Sequence, residues 1–188
     1  MTPATPFSEK PTLRGELVTL RPVTGDDALL LDAVVRDDPE VAELTGSVHR
    51  TGDSPPPIDP ARLRAIYESW AVADDRLVLA VVDHTSEAVV GEVVLNDWDP
   101  ANRSCGFRTF VGRAGRGRGL GTEATRLVVQ HGLRRMGLHR ITLEVYAFNP
   151  RARHVYEKVG FVHEGTGRDA LRFDDGWVDV HFMAILGD

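Results

Sequence analysis

Phe107-Arg108-Thr109-Phe110-Val111-Gly112-Arg113-Ala114-Gly115-Arg116-Gly117-Arg118-Gly119-Leu120-Gly121-Thr122-Glu123-Ala124 reads as a strand, then a basic glycine-rich turn, then the start of a helix. Gly117, Gly119 and Gly121 alternate with Arg118 and Leu120. Lacking Cβ atoms, such a backbone can approach a ligand closely, and free N–H groups at the helix N-terminus can point at phosphate oxygens. Arg116 and Arg118 add charge there. Taken alone, the turn reads equally well as a surface loop with solvated arginines. A P-loop is excluded because no Gly-Lys-Ser/Thr follows the glycines; the only lysines are Lys10 and Lys158. Gly119 to Ala124 does match the dinucleotide pattern G-x-G-x-x-A, with Glu144 downstream where an acid would bind ribose. In that fingerprint, however, the strand runs almost directly into the first glycine, whereas here Gly112 to Arg118 separate it from Val111.

Outward from this turn, hydrophobic periodicity predicts a helix over about Leu120 to Arg135, with Gly137 as a C-cap candidate, then a strand from Arg140 to Tyr146. Asn149-Pro150 opens a helix with an apolar face of Ala152, Val155, Tyr156 and Val159, and Gly160 closes it. Phe161-Val162 and Trp177 to Leu186 supply the last strands. Upstream, Leu17 to Arg21, Arg76 to Asp83, Ala88 to Trp98 and Ser104 to Val111 read as strands, the last three as an antiparallel meander. Asp26 caps a helix that Pro39 follows, and Asp59-Pro60 starts another, with Tyr67 and Trp70 on its core face. Between these two helices, Thr45 to Pro60 is a Gly/Pro-rich loop that could serve as a lid. The fold class is α+β, a mixed α/β sheet with helices on its faces.

The second informative segment is Leu143-Glu144-Val145-Tyr146-Ala147-Phe148-Asn149-Pro150-Arg151-Ala152-Arg153-His154-Val155-Tyr156-Glu157-Lys158-Val159-Gly160-Phe161. Together with Arg116 to Gly121 it resembles the GNAT superfamily of acyl-CoA-dependent N-acyltransferases, whose Arg/Gln-x-x-Gly-x-Gly/Ala turn is followed by Asn-x-x-Ala-x-x-x-Tyr-Glu-Lys-x-Gly-Phe. The Gly121-Thr122-Glu123-Ala124 step and Gly176 to Asp179 look like the branch containing the ribosomal-protein N-terminal acetyltransferases. The strong resemblance covers roughly residues 103–186; residues 1–100 match in general plan.

The resemblance implies a mostly antiparallel sheet of about seven strands, splayed between its fourth and fifth, Ser104–Val111 and Arg140–Tyr146. The pantetheine arm of acetyl-CoA, or of another short acyl-CoA, would lie in the gap. Main-chain groups of Phe110 and Val111 would pair with pantetheine. Arg116, Gly117, Arg118, Gly119, Leu120, Gly121 and Thr122 would hold the pyrophosphate, with Asn149 and Ala152 flanking the thioester. Arg151, Arg153 and Lys158 could reach the adenosine phosphates or stand solvated. Direct attack of an amine on the thioester needs no covalent enzyme intermediate. Tyr156 would be the general acid, since a phenol of pKa about 10 is protonated at neutral pH; a packed core tyrosine is the competing reading. Some N-terminal acetyltransferases of the superfamily carry a glutamate base where Glu144 stands. That residue could equally be a surface glutamate in a cross-strand ion pair. The related branch often has an acid before Gly-Tyr/Phe, where this chain has Ser104-Cys105, so Glu92 and Asp97 are further base candidates. Trp98, Tyr146, Phe148 and Trp177 could wall the acceptor pocket or pack in the core. A protein that binds acyl-CoA as a sensor without turning it over is the alternative function, and a nicotinamide enzyme a third.

The 188 residues suit one domain, with residues 1–12 as a mobile tail. The net charge of −6 is segregated. Residues 1–100 hold 8 Lys+Arg against 19 Asp+Glu, and residues 101–188 hold 14 against 9. A molecule of this balance is not built for nonspecific nucleic-acid binding, while the acid-free basic stretch from Arg103 to Gly121 suits a polyanionic small ligand. Acidic lining on the acceptor side would attract a cationic peptide or polyamine. A peptide N-terminus, of pKa about 8, is far more deprotonated at neutral pH than lysine. No metal site is expected, for the seven histidines form no His-Glu-x-x-His and Cys105 is the sole cysteine, read as an inert core thiol. One thiol, no leader pattern and no membrane-length apolar run point to a cytoplasmic protein without membrane association. A sheet edge or the Thr45–Pro60 loop could make a homodimer.

Overall fold

The computed structural model describes residues 5–187. Along them run β1 (Leu13–Arg14), β2 (Val18–Pro22), α1 (Gly25–Arg36), α2 (Pro39–Leu44), α3 (Pro60–Val72), β3 (Leu77–Asp83), β4 (Val89–Asp99), β5 (Ser104–Val111), α4 (Leu120–Arg134), β6 (Arg140–Tyr146), α5 (Pro150–Val159), β7 (Val162–Phe173) and β8 (Gly176–Leu186). The strands form one sheet in the order β1-β2-β3-β4-β5-β6-β8-β7. Every neighbouring pair is antiparallel except β5 and β6, which are parallel.

Alternation along the strands divides the core between the two faces of the sheet. On one face Leu79, Val93, Leu95, Phe107, Leu143 and Val145 pack with Leu120, Ala124 and Val128 of α4 and Tyr156 of α5. On the other, Val78, Ala80 and Val94 pack with Ala28 and Leu31 of α1 and Leu63 and Tyr67 of α3. Side-chain caps fix where helices begin. Asp59 accepts from the Arg62 N–H and Asn149 from the Ala152 N–H, each followed by Pro, as the sequence predicts. Gly160 ends α5 with φ +115°, a conformation that favours glycine.

The mostly antiparallel sheet expected with about seven strands has eight among the described residues, the two-residue β1 included. Other expectations need correction. Thr24 caps α1, not Asp26: its hydroxyl accepts from the Asp27 N–H while the Asp27 carboxylate accepts from the Thr24 N–H, a reciprocal capping box. Pro39 follows α1 as expected, but it also starts a helix the sequence reading lacked, α2, at a position where its missing N–H costs nothing. β7 runs on for 12 residues where only Phe161-Val162 read as strand.

Of the expected mobile tail, residues 1–4 lie outside the described residues, and two side chains of residues 5–12 contact the body of the protein. Phe7 is wholly buried against Trp98, ring centroids 5.4 Å apart, and the Lys10 ammonium donates to the Arg76 carbonyl at 2.7 Å. Phe7→Ala should therefore cost about 3–5 kcal/mol, the range for emptying a buried aromatic site. Urea denaturation of the full chain measures it; a loss under about 1 kcal/mol would mean that the segment contributes little.

Candidate active site

The parallel pairing of β5 with β6 lasts only from Ser104↔Arg140 to Gly106↔Thr142. Beyond it the strands part, and a groove of about 1100 Å³ opens between them. This is the expected splay. Phe107 to Val111 keep β4 on one side and have no strand on the other. Phe110, Val111, Arg116, Gly117, Gly119, Gly121, Thr122, Asn149 and Ala152 all line the groove.

The glycine turn owes its shape to backbone that favours glycine, φ +73° at Gly117 and +84° at Gly119, the N-cap of α4. A Cβ at Gly117 would meet no atom within 4 Å, so the turn's outer face is open. Its arginines already have partners. Arg116 donates Nε–H to the Val111 carbonyl at 3.0 Å and pairs with Glu40, and its Nη2 lies 2.7 Å from the buried Asp38 carboxylate. The Asp38 contact is off the hydrogen-bond direction, since neither carboxylate oxygen has an aligned donor. Arg151 pairs with Glu40 at 3.0 Å. Arg118 turns from the groove to grip Asp83 through both nitrogens, at 2.8 and 3.1 Å. Leu120 is core, 1 % exposed. Neither Arg118 nor Leu120 lines the groove, whereas Lys158 and Arg151 do; Arg153 instead pairs with Glu157.

Tyr156 lines the groove from α5 with its ring held edge-on by Phe107, centroids 6.0 Å apart. Burial pushes its phenol up to about 12, so it stays protonated across the neutral range. Glu144 lies on β6 between the buried Leu143 and Val145, so it faces the opposite side of the sheet from them and is exposed to the groove. The competing ion pair is not found: among the described residues Glu144 has no salt-bridge partner. Glu92 and Asp97 also line the groove. Glu92 accepts from the Tyr67 hydroxyl at 3.0 Å, a contact that sequence periodicity, which placed Tyr67 on a core face, gave no sign of. Burial pushes the Glu92 carboxyl above the ordinary glutamate range, while the Tyr67 bond and the Arg108 charge pull it back. Cys105 is buried, its thiol pushed up to about 12, in keeping with an inert core residue. Of the four aromatics considered for the acceptor wall, only Tyr146 lines the groove. Trp98 stacks on Phe7, Phe148 sits between Tyr146 and Phe173, and Trp177 is exposed elsewhere.

Leu44, Thr45 and Ser47 roof one end of the groove. A Cβ at Gly46 would fall 2.5 Å from the Tyr146 ring, so the roof lies directly on that side chain. From there the loop is tied to the β7–β8 turn: Asp174 accepts from the Thr51 N–H and hydroxyl at 2.9 and 2.7 Å, and its own N–H donates to the His49 carbonyl at 2.8 Å.

Residues 18–162 match the family described as Acetyltransferase (GNAT) domain. Over 77 residues, 41 % of its length, the chain is 39 % identical to the Probable N-acetyltransferase YjcK of Bacillus subtilis (strain 168). Over 102 residues, 54 % of its length, it is 22 % identical to the ribosomal-protein-serine acetyltransferase of Escherichia coli (strain K12). The chain spans about half of those curated relatives, 42 % and 57 %. The crystal structure of spermidine N-acetyltransferase from Vibrio cholerae in complex with CoA and spermine superposes with TM-score 0.78 at 22 % identity, over 92 % of this chain and 96 % of that one. No helix among the described residues is long and apolar enough to cross a membrane.

The Glu92 environment has a measurable signature. Between the ordinary glutamate value of about 4.3 and its raised folded value, the native protein holds a proton that the unfolded chain has lost, so stability falls as pH rises through that window. Glu92→Gln removes the effect. Across thermal melts from pH 4 to 8, the variant should gain on the wild type as pH rises; a difference in Tm that stays constant with pH would contradict the assignment.

Proposed function

This chain belongs to the GNAT acetyltransferase family, and we propose that it transfers an acetyl or other short acyl group from acyl-CoA to the primary amine of a small molecule or a peptide N-terminus. One observation carries the reading: at a single gap the unpaired edge of β5, the open glycine turn and a buried tyrosine come together. The gap fits an acyl-CoA. An extended amide-bearing arm can complete the hydrogen bonding of the β5 edge, and the backbone N–H groups at Gly119 to Thr122 begin α4, where phosphate charge is favoured. In this reading Arg116 reaches the phosphates only if it shares its guanidinium with Glu40, while Arg118 braces the turn through Asp83.

The amine nitrogen forms a bond to the thioester carbonyl carbon as the carbon–sulfur bond breaks, giving an amide and the CoA thiol. Glu144 takes the proton that the attacking nitrogen sheds, and Tyr156 gives its phenolic proton to the departing sulfur. Solvent restores both. A phenol held at about 12 is fully protonated when the sulfur leaves, which suits the donor role. A cytoplasmic location fits both the acyl-CoA supply and the single buried thiol.

Acetyl-CoA should stabilise the protein against heat, by about 2.7 kcal/mol at one hundred times its dissociation constant, and NADH should not. Tyr156→Phe should lower kcat by about 10²- to 10⁴-fold while acetyl-CoA affinity holds, because only the proton donor is lost. Unchanged turnover in that variant would remove Tyr156 from the mechanism, and binding without turnover in the wild type would favour a sensor.

A further inference from the structure

Around the groove, the arginines are spoken for with one exception. Arg116 is held by Asp38 and Glu40, Arg151 by Glu40, and Arg140 by Glu164. Arg108 also lines the groove and is exposed, yet among the described residues no carboxylate comes within ion-pair distance of it. Its charge is felt by Glu92, but that carboxylate is engaged by the Tyr67 hydroxyl at 3.0 Å.

The position of Arg108 is as informative as its lack of a partner. It stands opposite Val94 in the β4–β5 register and so shares the sheet face that bears Val94, the face toward which Glu144 also projects. The parallel register ends at Gly106↔Thr142, and two residues further on it would have set Arg108 beside Glu144. The strands have parted by then. One wall of the gap therefore presents an unpaired cation and the other an unpaired anion, at the same level and on the same face. On the Glu144 side the groove is covered at Tyr146, two residues along the same strand, where Gly46 lies against its ring and the loop beyond is tied at Thr51 to Asp174, which favours a small occupant over a long chain.

We propose that the acceptor is a small amino-carboxylate, of the size and charge of an amino acid, whose carboxylate is bound by Arg108 while its amine faces Glu144. The proposal rests on the acyl-transfer reading above. A guanidinium recognises a carboxylate through two parallel N–H···O bonds, so it selects the acid over its carboxamide. The same chemistry could reach Arg108 from the other substrate, a dicarboxylic acyl group such as succinyl, and the experiment separates the two sources.

CoA thiol release is followed with acetyl-CoA and, as acceptors, the twenty free L-amino acids, their carboxamides, and the carboxylate-free amines spermidine and benzylamine; succinyl-CoA is then tested with the latter two. The best free amino acid should exceed its carboxamide in kcat/KM by at least about tenfold, as expected for a charge-assisted pair. Arg108→Gln should bring that ratio close to one, chiefly by raising KM, and Arg108→Lys should restore part of it. Equal use of acid and carboxamide by the wild type overturns the proposal. So does a wild type that works on spermidine or benzylamine only with succinyl-CoA and loses that preference in Arg108→Gln, since the carboxylate then comes with the donor. No thiol release with any of these amines overturns the proposal, and none with a short peptide of free N-terminus either would defeat the underlying transfer reading as well, which distinguishes the two failures.

Discussion

The parting of β5 from β6 after three residue pairs is the constraint on which the rest of this molecule turns. A sheet interior is normally closed by its ladder, because an unmade backbone hydrogen bond in a buried place is costly. Here two central strands forgo it. The cost is tolerable because the open segment is lined by groove rather than core, and because both strands are anchored on their far sides, β5 by β4 and β6 by β8. The anchoring is tight. A Cβ at Gly91 would lie 2.1 Å from the Phe110 carbonyl oxygen, so glycine alone lets β4 hold β5 at this distance.

The charge imbalance between the two halves of the sequence is resolved in space. Acids of the first half meet bases of the second: Asp38 and Glu40 with Arg116, Glu40 with Arg151, Asp83 with Arg118. Glu123 adds a contact of another kind, accepting from the backbone N–H groups of Glu16, Leu17 and Val18 at 2.9, 2.7 and 2.9 Å. One carboxylate thereby serves three donors at the entry to β2 and fixes the first turn of α4 against the sheet. The glycine turn is thus braced from outside by residues that lie far from it in sequence, and its backbone is left facing the groove.

What could be read from the sequence, and what could not, follows from the range of the interactions involved. Asp59 and Asn149 each advertise a helix start because cap and proline are adjacent in the chain. The groove-lining glycines were legible for the same local reason. β7 was not, because its alternation is interrupted by Gly165 and Gly167 and most of its side chains are exposed, so no apolar rhythm marks it. Phe7 sits among prolines and polar residues, and its burial comes from core partners distant in the chain, Trp98 among them, ninety-one positions away. Arg116 and Arg118 look alike in the sequence; which of them faces the groove is decided by where Asp38 and Asp83 fall in the fold. Arg108 and Glu144 show the same limit, since their isolation depends on carboxylates and cations that are elsewhere.

The strand order makes the site depend on the last hairpin of the chain. β8 is the last strand in the chain but not an edge of the sheet; it lies between β6 and β7. The turn that leads into it supplies Asp174, which holds the roof through Thr51, 123 residues earlier. β6 holds β5 through only three residue pairs and β7 pairs with β8 alone, so both owe their place in the sheet to a strand that follows them in sequence. One wall of the gap and the tie on its roof thus hang on the same hairpin, and whatever loosens β8 loosens both together.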